Sequence, residues 1–213
     1  MKGTLPKQYL ALQGIPILAR TLRAFQDHPL IQEIVVTVPE GDEEFCKLKI
    51  VDTFRMEKVS AIVAGGRTRQ DSVRNGLQRL THTGIVAIHD GVRPLVSGDV
   101  IAGTIEAART SGAAVACAPV RETLKRQTGQ SLETLPAAGI WLAHTPQTFL
   151  TPLILEAHRK ALDDGFEGTD DAVLVERLGY PVTIVEDSEN NLKITTPEDL
   201  ARASLLLGTA PSQ

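Results

Sequence analysis

The sequence predicts a doubly wound, Rossmann-like α/β domain with a mainly parallel sheet. Short runs rich in β-branched residues recur along the chain, and stretches in which apolar residues have helical spacing separate them. The runs are apolar on both faces, which is typical of parallel strands that helices cover on each side. Because 213 residues are enough for one sizeable core, we expect residues 1–213 to form a single domain.

The predicted elements alternate along the chain in the order that such a domain requires. The helical patterns are those of Ile17, Leu18, Leu22 and Phe25, of Val73, Leu77 and Leu80, and of Val100, Ile101, Ile105 and Ala108. The predicted core strands cover residues 33–38, 59–64, 85–89, 113–120 and 182–186.

The C-terminal part of the chain predicts a short strand and a final helix. The strand covers residues 191–195 and contains Lys193, and the helix covers about 197–207. Thr196 stands at the N-cap and Pro197 at the first helical position, which favours initiation of this helix.

A polar segment, residues 121–135, interrupts the alternation. It predicts two strands around a Thr128–Gly129 turn, and both strands are too polar on each face to lie in a core. We therefore expect a projecting hairpin arm, at about residues 121–145, that reaches a partner subunit.

Composition excludes several classes of protein. With 42% hydrophobic residues and mixed charge, the chain is not of the disordered class. Its longest nearly continuous apolar stretch, residues 113–120, is far shorter than the roughly 20 residues of a membrane helix. A net charge of -4 argues against a general nucleic-acid binder. We expect neither a membrane nor a nucleic acid as partner.

Cysteine and histidine usage indicates a reduced protein without a zinc site. Cys46 and Cys117 cannot form a disulfide framework, and the segment after Met1 has no signal peptide, so we expect a cytoplasmic protein. None of the five histidines has metal-ligand spacing. No Gly-x-Ser-x-Gly motif supports a serine triad.

Two loops that follow predicted strands carry candidate ligand-binding residues, because ligands of open α/β sheets bind beyond the carboxyl ends of strands. The first loop, residues 65–72, is also typical of a turn followed by a helix N-cap at Asp71 or Ser72. In the second loop Asp90 could serve a ligand or merely pair with Arg93.

Three further positions are ambiguous when each is taken alone. The sequence Thr169-Asp170-Asp171 is typical of a helix N-terminus with the threonine as N-cap. Lys193 has polar neighbours within its short strand. Lys7, before the first helix, would pass as a surface lysine.

These pieces form one ordered series of motifs along the chain. The series is Pro6-Lys7-Gln8-Tyr9, Gly65-Gly66 with Asp71-Ser72-Val73, His89-Asp90-Gly91-Val92-Arg93-Pro94, residues 119–126, Trp141 with Thr145-Pro146-Gln147, Thr169-Asp170-Asp171-Ala172, and residues 191–199. It closely resembles the 2-C-methyl-D-erythritol 4-phosphate cytidylyltransferase family of the non-mevalonate isoprenoid pathway, over essentially the whole chain.

The resemblance implies a nucleotidyl transfer. Members of that family transfer CMP from CTP to 2-C-methyl-D-erythritol 4-phosphate and release pyrophosphate, with Mg²⁺ on the triphosphate. By the resemblance, Lys7 contacts the triphosphate and stabilises the transition state, and Lys193 positions the attacking phosphate. Thr145 and Thr169 donate hydroxyl groups near that phosphate, and Arg93 matches a substrate-side position.

The resemblance also implies how the nucleotide is held. Gly66 and Ser72 match the residues that read the cytosine edge, whereas Asp90 and Gly91 fall where the family contacts the ribose and lies close to the metal. Thr123, on the arm, matches a substrate-side threonine that serves the neighbouring subunit. A homodimer with shared active sites follows from the resemblance.

Three features depart from the family pattern. Members begin with a strand and a glycine-rich loop that ends in an arginine, upstream of where Met1 falls, and we expect that Met1 is not the true start. Ala137 stands where the family has an arginine that holds the substrate phosphate, which would weaken substrate binding. His144 stands where glutamine is usual.

Two alternatives stay open at this point. One is a cytidylyltransferase for another polyol phosphate, such as ribitol 5-phosphate, although Trp141 and the arm motif favour methylerythritol phosphate. The other is a non-catalytic, degenerate homologue, because the triphosphate loop and two phosphate-binding arginines of the family have no counterpart.

Overall fold

The computed structural model describes residues 6–82 and 84–208, and these form an α/β fold as predicted. The strands are β1 (Ala11–Leu12), β2 (Ile15–Pro16), β3 (Ile34–Val38), β4 (Val59–Ala64), β5 (Ile85–Ile88), β6 (Ala113–Pro119), β7 (Leu124–Thr128), β8 (Ser131–Leu135), β9 (Trp141–Leu150) and β10 (Thr183–Glu186). The helices are α1 (Ile17–Gln26), α2 (Glu43–Cys46), α3 (Arg69–Leu77), α4 (Gly98–Ser111), α5 (Thr151–Asp163), α6 (Ala172–Arg177) and α7 (Pro197–Gly208).

The central sheet is mixed, whereas the sequence predicts a mainly parallel one, because β9 runs against both of its neighbours. The strand order is β10-β6-β9-β5. Strands β6 and β10 are parallel, and β9 is antiparallel to β5 and β6. Strands β3 and β4 form a separate parallel pair. The sequence does not predict β9, since Pro146 interrupts the strand pattern. In the structure this proline lies where the pairing register of β9 with β6 shifts, so no backbone hydrogen bond between the two strands is lost there.

Helices cover the four-stranded sheet on both faces, as a doubly wound fold requires. On one face, α4 buries Ile101 and Ile105 against Ala116 of β6. On the other face, α5 and α6 pack around Phe149 of β9 with side chains such as Ile154. Strand β6 and the C-terminal half of β9 are therefore buried on each side, and the strand ends are left to form the site.

The polar segment forms the predicted hairpin arm. Strands β7 and β8 pair only with each other among the described residues, and an exposed ion pair joins Arg126 to Glu133 at 2.7 Å. Gly129 takes the left-handed conformation at the turn, with φ +62°. The arm is shorter than expected, because residues 141–145 already belong to β9 and pair in part with β6.

Two local predictions are wrong. Residues 191–195 are not a strand, since a single backbone bond, from Ile194 N to Val92 O at 2.9 Å, ties that segment to the β5 loop. Helix α3 begins earlier than predicted, and its N-cap is Thr68, whose hydroxyl accepts a hydrogen bond from the backbone N–H of Asp71.

The final helix has the predicted N-terminus. The Thr196 hydroxyl accepts a hydrogen bond from Asp199 N at 3.2 Å, and the Asp199 carboxylate accepts one from Thr196 N at 2.9 Å. This reciprocal pair satisfies two backbone donors at the helix start.

Nothing in the described ranges forms a helix of the length and apolar character that crossing a membrane needs. The expectation about a start upstream of Met1 lies outside the described residues, 6–82 and 84–208.

Candidate functional site

A cleft of about 700 Å³ opens beyond the carboxyl ends of β3, β4 and β5. This is the edge at which open α/β sheets bind their ligands, and the volume lies in the usual range for a small-molecule site. Its lining includes Gln8, Val38, Gly65, Gly66, Ser72 and Gly91. Three predicted nucleotide-binding residues, Gly66, Ser72 and Gly91, thus line one cleft.

The loop after β4 is closed by hydrogen bonds around Ser72. The Ser72 hydroxyl donates to Thr68 O at 2.9 Å and accepts from Gly66 N at 3.0 Å. A Cβ atom at position 66 would lie 2.2 Å from Cβ of Asp71, so only glycine fits there. One lone pair of the Ser72 oxygen is left for a ligand.

Lys7 lies on a short 3₁₀ turn (Lys7–Tyr9) at the edge of the cleft. Tyr9 inserts into the core beside Leu18 and Ile50 and anchors the turn. Gln8, which lies between Lys7 and Tyr9 in the sequence, lines the cleft. The side chain of Lys7 is exposed, so its ammonium group is available to an anionic ligand.

Asp90 is the centre of a cluster of charged side chains, which we call the Asp90 cluster. Its Oδ2 lies 3.0 Å from Lys193 Nζ, and its Oδ1 lies 3.2 Å from Arg69 Nε. Arg93 Nε is 3.6 Å from Oδ2, so the expected Asp90–Arg93 pair is present but looser. The structure therefore brings together two residues that lie more than 100 positions apart, Asp90 from the loop after β5 and Lys193 from the segment that the sequence predicts as a short strand.

The charge state of Asp90 follows from its neighbours. Burial opposes ionisation of the carboxyl group, but Arg69 and Lys193 outweigh that effect and lower the pKa of Asp90 to about 2. The carboxylate is therefore ionised at neutral pH, and it holds the cations close together.

Arg69 links the cluster to a second, buried carboxylate that the sequence does not single out as functional. Arg69 Nη1 lies 2.7 Å from Asp171 Oδ2, and Asp171 Oδ1 lies 3.2 Å from His158 Nε2. Asp171 and His158 are both almost fully buried. The sequence could have indicated Arg69 as a site residue, because it follows β4 in the glycine-containing loop. His158 lies in the middle of α5, and no pattern in the sequence marks it as part of the site.

Gln147 holds the segment that carries Thr169. Its Oε1 accepts hydrogen bonds from Asp171 N and Ala172 N, each at 3.0 Å, and its Nε2 donates to Asp170 Oδ2 at 2.9 Å. Asp170, not Thr169, caps the start of α6, because its Oδ1 accepts from a backbone N–H of that helix. The alternative reading of Thr169 as an N-cap is wrong, and its side chain is exposed.

Three predicted substrate-side residues lie in different environments. Arg93 is buried, and its Nη1 donates to Asn191 O. Thr145 is also buried, and its hydroxyl lies 3.0 Å from His89 Nδ1 and 3.1 Å from Asp90 N. Thr123 is exposed at the base of the arm, and among residues 6–82 and 84–208 no hydrogen bond or ion pair joins it to the Asp90 cluster.

The two departures from the family pattern inside the chain also have defined places. Ala137 lies in the connection between β8 and β9, where its carbonyl accepts a hydrogen bond from Ile140 N. His144 is nearly buried, and its Nδ1 lies 2.9 Å from Asp187 Oδ2. His144 thus supports the end of β10 through Asp187.

The Asp90 carboxylate is suited to contact a metal ion that arrives bound to a phosphate ligand. It is not part of a site in which protein side chains alone hold a metal. In the described part of the chain, no three His, Cys, Asp or Glu side chains come together as a metal site. Mg²⁺ is commonly bound by one or two carboxylates together with substrate phosphates and water. Asp90 is the carboxylate of this cluster that could bind Mg²⁺ in this way.

Comparisons with known proteins place the chain among one group of enzymes. The family model of 2-C-methyl-D-erythritol 4-phosphate cytidylyltransferase (IspD) matches residues 1–209. The enzyme of that name from Syntrophus aciditrophicus is 48% identical over 210 residues, covering 97% of this chain and 90% of the relative.

Solved structures agree with that match. The 2-C-methyl-D-erythritol 4-phosphate cytidylyltransferase from Thermus thermophilus superposes with a TM-score of 0.84 at 38% identity, covering 96% of this chain and 95% of that chain. The 4-diphosphocytidyl-2C-methyl-D-erythritol synthase from Anaerococcus prevotii gives a TM-score of 0.87 at 30% identity, with 96% and 91% covered.

The low pKa of Asp90 predicts how the stability of the folded chain depends on pH. Its value is lowered from 3.8 to about 2, so ionised Asp90 stabilises the folded chain at pH values above about 4, and this contribution is lost as the pH falls through about 2. The shift corresponds to roughly 2 kcal/mol of unfolding free energy. We expect Asp90→Asn to lose about this amount at pH 7 and to approach the unsubstituted chain near pH 2, as measured by urea unfolding across that range.

The matched control for this measurement is Asp163→Asn, which removes a carboxylate from an exposed pair with Arg159. Exposed ion pairs contribute little to stability, so this variant should unfold like the unsubstituted chain at every pH. A stability difference for Asp90→Asn that stays constant from pH 7 to pH 2 would contradict the assignment.

Proposed function

The chain belongs to the 2-C-methyl-D-erythritol 4-phosphate cytidylyltransferase family, and we propose how its cleft performs that family's reaction. The protein is a nucleotidyltransferase that transfers CMP from CTP to 2-C-methyl-D-erythritol 4-phosphate in isoprenoid biosynthesis. A phosphate oxygen of the acceptor forms a bond to the α-phosphorus of CTP. The bond from that phosphorus to the bridging oxygen breaks, and pyrophosphate leaves with the electron pair.

The observation that supports this site best is the Asp90 cluster beside the nucleotide-sized cleft. Both reactants are anions, so the protein must offset their repulsion and the charge that develops in the transition state. Arg69, Arg93 and Lys193 supply three cations to the cluster, against the carboxylates of Asp90 and Asp171. Lys193 is the most exposed of these three cations, so its charge is the one best able to reach a phosphate.

The nucleotide side of the cleft is formed by Gly66, Ser72 and Gly91. Since the Ser72 hydroxyl gives its proton to Thr68 O, it presents a lone pair to a ligand and accepts a hydrogen bond from the amino group of cytosine. Uracil has a carbonyl group in that place and would be rejected. Gly91 lets the ribose approach the backbone of the β5 loop.

The acceptor side is formed by Lys193 with Thr169. An ammonium group has three N–H donors, and Asp90 occupies one of those of Lys193. The side chain is 40% exposed, so its remaining donors can hold the phosphate of the acceptor. The exposed hydroxyl of Thr169, fixed by its neighbours in the loop that Gln147 holds, adds a neutral donor.

Lys7 acts from the 3₁₀ turn whose next residue, Gln8, lines the cleft. Its turn is anchored in the core by Tyr9, while its flexible stem and compact charge can follow a phosphoryl oxygen as it moves during the reaction. We assign Lys7 to the triphosphate, where it stabilises the charge of the leaving pyrophosphate.

Mg²⁺ is the proposed cofactor, carried by the triphosphate with Asp90 as its protein contact. When bound, the ion neutralises negative charge on the phosphate oxygens. The residues of the chain orient the reactants: Gly66 and Ser72 fix the base, and Lys193 fixes the acceptor.

We also propose that two copies associate through the arm, each completing the other's site with Thr123. Apolar side chains are exposed along the arm and the start of β9, with Leu132 at 70%, Leu142 at 48% and Ile140 at 38%. Such a surface is typical of an interface between copies. The free, buried thiols of Cys46 and Cys117 fit the reducing cytoplasm in which we place the protein.

The two lysines give different kinetic predictions. Lys193→Gln should raise the KM for methylerythritol phosphate and lower kcat, whereas Lys7→Gln should lower kcat by roughly 100-fold, as expected for loss of one charge that stabilises the transition state. Pyrophosphate release measures both. Lys49→Gln, an exposed lysine on the segment that follows α2, is the matched control and should leave the rates unchanged.

The same assay tests the substrate. With ribitol 5-phosphate as acceptor, we expect a far lower kcat/KM than with methylerythritol phosphate. A preference for ribitol 5-phosphate would overturn the assigned substrate, and an unchanged KM for the acceptor in Lys193→Gln would remove that lysine from the acceptor side.

The arm proposal predicts a dimer that one charge can disrupt. Leu132→Glu places a carboxylate on the exposed apolar surface and should shift sedimentation toward the monomer, with lower activity at a given protein concentration. Leu162→Glu, on exposed α5, is the control. A protein that sediments as a monomer before any substitution would contradict the proposal.

A further inference from the structure

A buried asparagine, Asn191, ties the segment that carries Lys193 to strand β9. Asn191 is only 1% exposed. Its Nδ2 donates to Thr145 O of β9 at 2.9 Å and to Asp187 Oδ2 at 2.6 Å. A carbonyl oxygen can only accept a hydrogen bond, so the amide nitrogen, and not the amide oxygen, must face Thr145. The side chain thus binds the segment to a strand that lies 46 positions earlier in the chain.

Asp187, which receives the second hydrogen bond of Asn191, is itself held in place. Its Oδ2 lies 2.9 Å from His144 Nδ1, and its Oδ1 accepts a hydrogen bond from Ser188 N at 2.7 Å. Asp187 is buried, and buried polar groups in folded proteins are hydrogen-bonded. The carboxyl group is therefore a fixed point to which Asn191 attaches the segment.

The main chain is also held on both sides of Lys193. Arg93 Nη1 donates to Asn191 O, and Ile194 N donates to Val92 O at 2.9 Å. Asn191 and Ile194 are both buried, whereas the side chain of Lys193 between them is 40% exposed. Because its neighbours are fixed in the interior, the direction in which the lysine extends is set by where they are held.

The two N–H groups of the Asn191 amide are its only bonded side-chain atoms. In the part of the chain that the structure describes, residues 6–82 and 84–208, its buried Oδ1 has no hydrogen-bond partner. An unpaired buried acceptor costs free energy, so the oxygen does not explain why an asparagine is placed here. An aspartate has nearly the same shape, but it would lose both donors and set a carboxylate against two acceptors.

We propose that Asn191 is a positioning residue, whose two amide N–H groups hold residues 187–194 so that Lys193 extends toward the acceptor phosphate. Asn191 acts through Lys193 and does not itself touch the substrate. The ammonium group of that lysine is held by Asp90, and its backbone is held through Asn191. This inference rests on the proposed function, since the acceptor phosphate is the group that Lys193 would bind.

Kinetics of two variants at this position test the proposal, with pyrophosphate release as the measurement. Asn191→Asp should raise the KM for methylerythritol phosphate roughly 10-fold and change the KM for CTP by less than about 2-fold, because only the group that binds the acceptor is displaced. Asn191→Ser keeps one donor and adds no charge. It should raise the same KM less, and it carries the comparison alone if the aspartate variant does not fold.

The matched control is Asn190→Asp, the same substitution at the exposed neighbouring residue, which should leave both KM values unchanged. A rise in the KM of both substrates to the same extent in the Asn191 variants would show a merely structural asparagine and would overturn the proposal.

The double variant of Asn191→Asp with Lys193→Gln tests whether Asn191 acts through the lysine. If it does, the KM for methylerythritol phosphate in the double variant is nearly that of Lys193→Gln alone. Rises that multiply in full would show that Asn191 supports the site by another route, and the positioning role would be wrong.

Hydrogen exchange measured by NMR gives a readout that does not depend on turnover. The Ile194 N–H is buried and bonded to Val92 O, so it should be protected in the unsubstituted protein. Asn191→Asp should speed its exchange by roughly 10-fold relative to Asn190→Asp, and equal exchange in the two variants would overturn the proposal. An unsubstituted protein that does not use CTP would instead defeat the proposed function, while exchange at Ile194 would still decide whether Asn191 fixes the segment.

Discussion

The site depends on one interaction, the sharing of the Asp90 carboxylate between cations that come from distant parts of the chain. Arg69 begins α3 and Lys193 precedes α7, and their like charges would separate if no anion lay between them. A partly buried carboxylate is costly alone and becomes favourable only when it is paired. Because the loop after β5 fixes the carboxylate, it fixes the cations as well.

Strand β9 gives this loop its support. It inserts between β5 and β6 and brings Thr145 and Gln147 to the carboxyl end of β5. The Thr145 hydroxyl fixes the Asp90 loop by accepting a hydrogen bond from Asp90 N, while Gln147 fixes the loop of Asp171, the second carboxylate bound to Arg69. The antiparallel strand therefore donates or accepts hydrogen bonds with both loops that carry the charged groups.

The sequence predicts well those features that depend on local patterns. The polarity of the arm, the apolar strands and the glycines after β4 and β5 all have local causes, and the structure shows each of them. The sequence predicts poorly those features that packing between distant segments of the chain determines. Asp171 lies at the N-terminus of α6, as predicted, but no local pattern indicates its burial against Arg69 and His158. Residues 191–195 have the pattern of a strand, but a single backbone hydrogen bond joins them to the Asp90 loop.

A double-mutant cycle on Asp90 and Lys193 tests the central claim most directly. The measurement is kcat/KM for methylerythritol phosphate in the unsubstituted protein, Asp90→Asn, Lys193→Gln and the double variant. If Asp90 acts by holding Lys193, the two losses overlap, and the double variant is little worse than the poorer single variant. Losses that multiply in full would show that the two residues act independently, and the account of a shared carboxylate would be wrong.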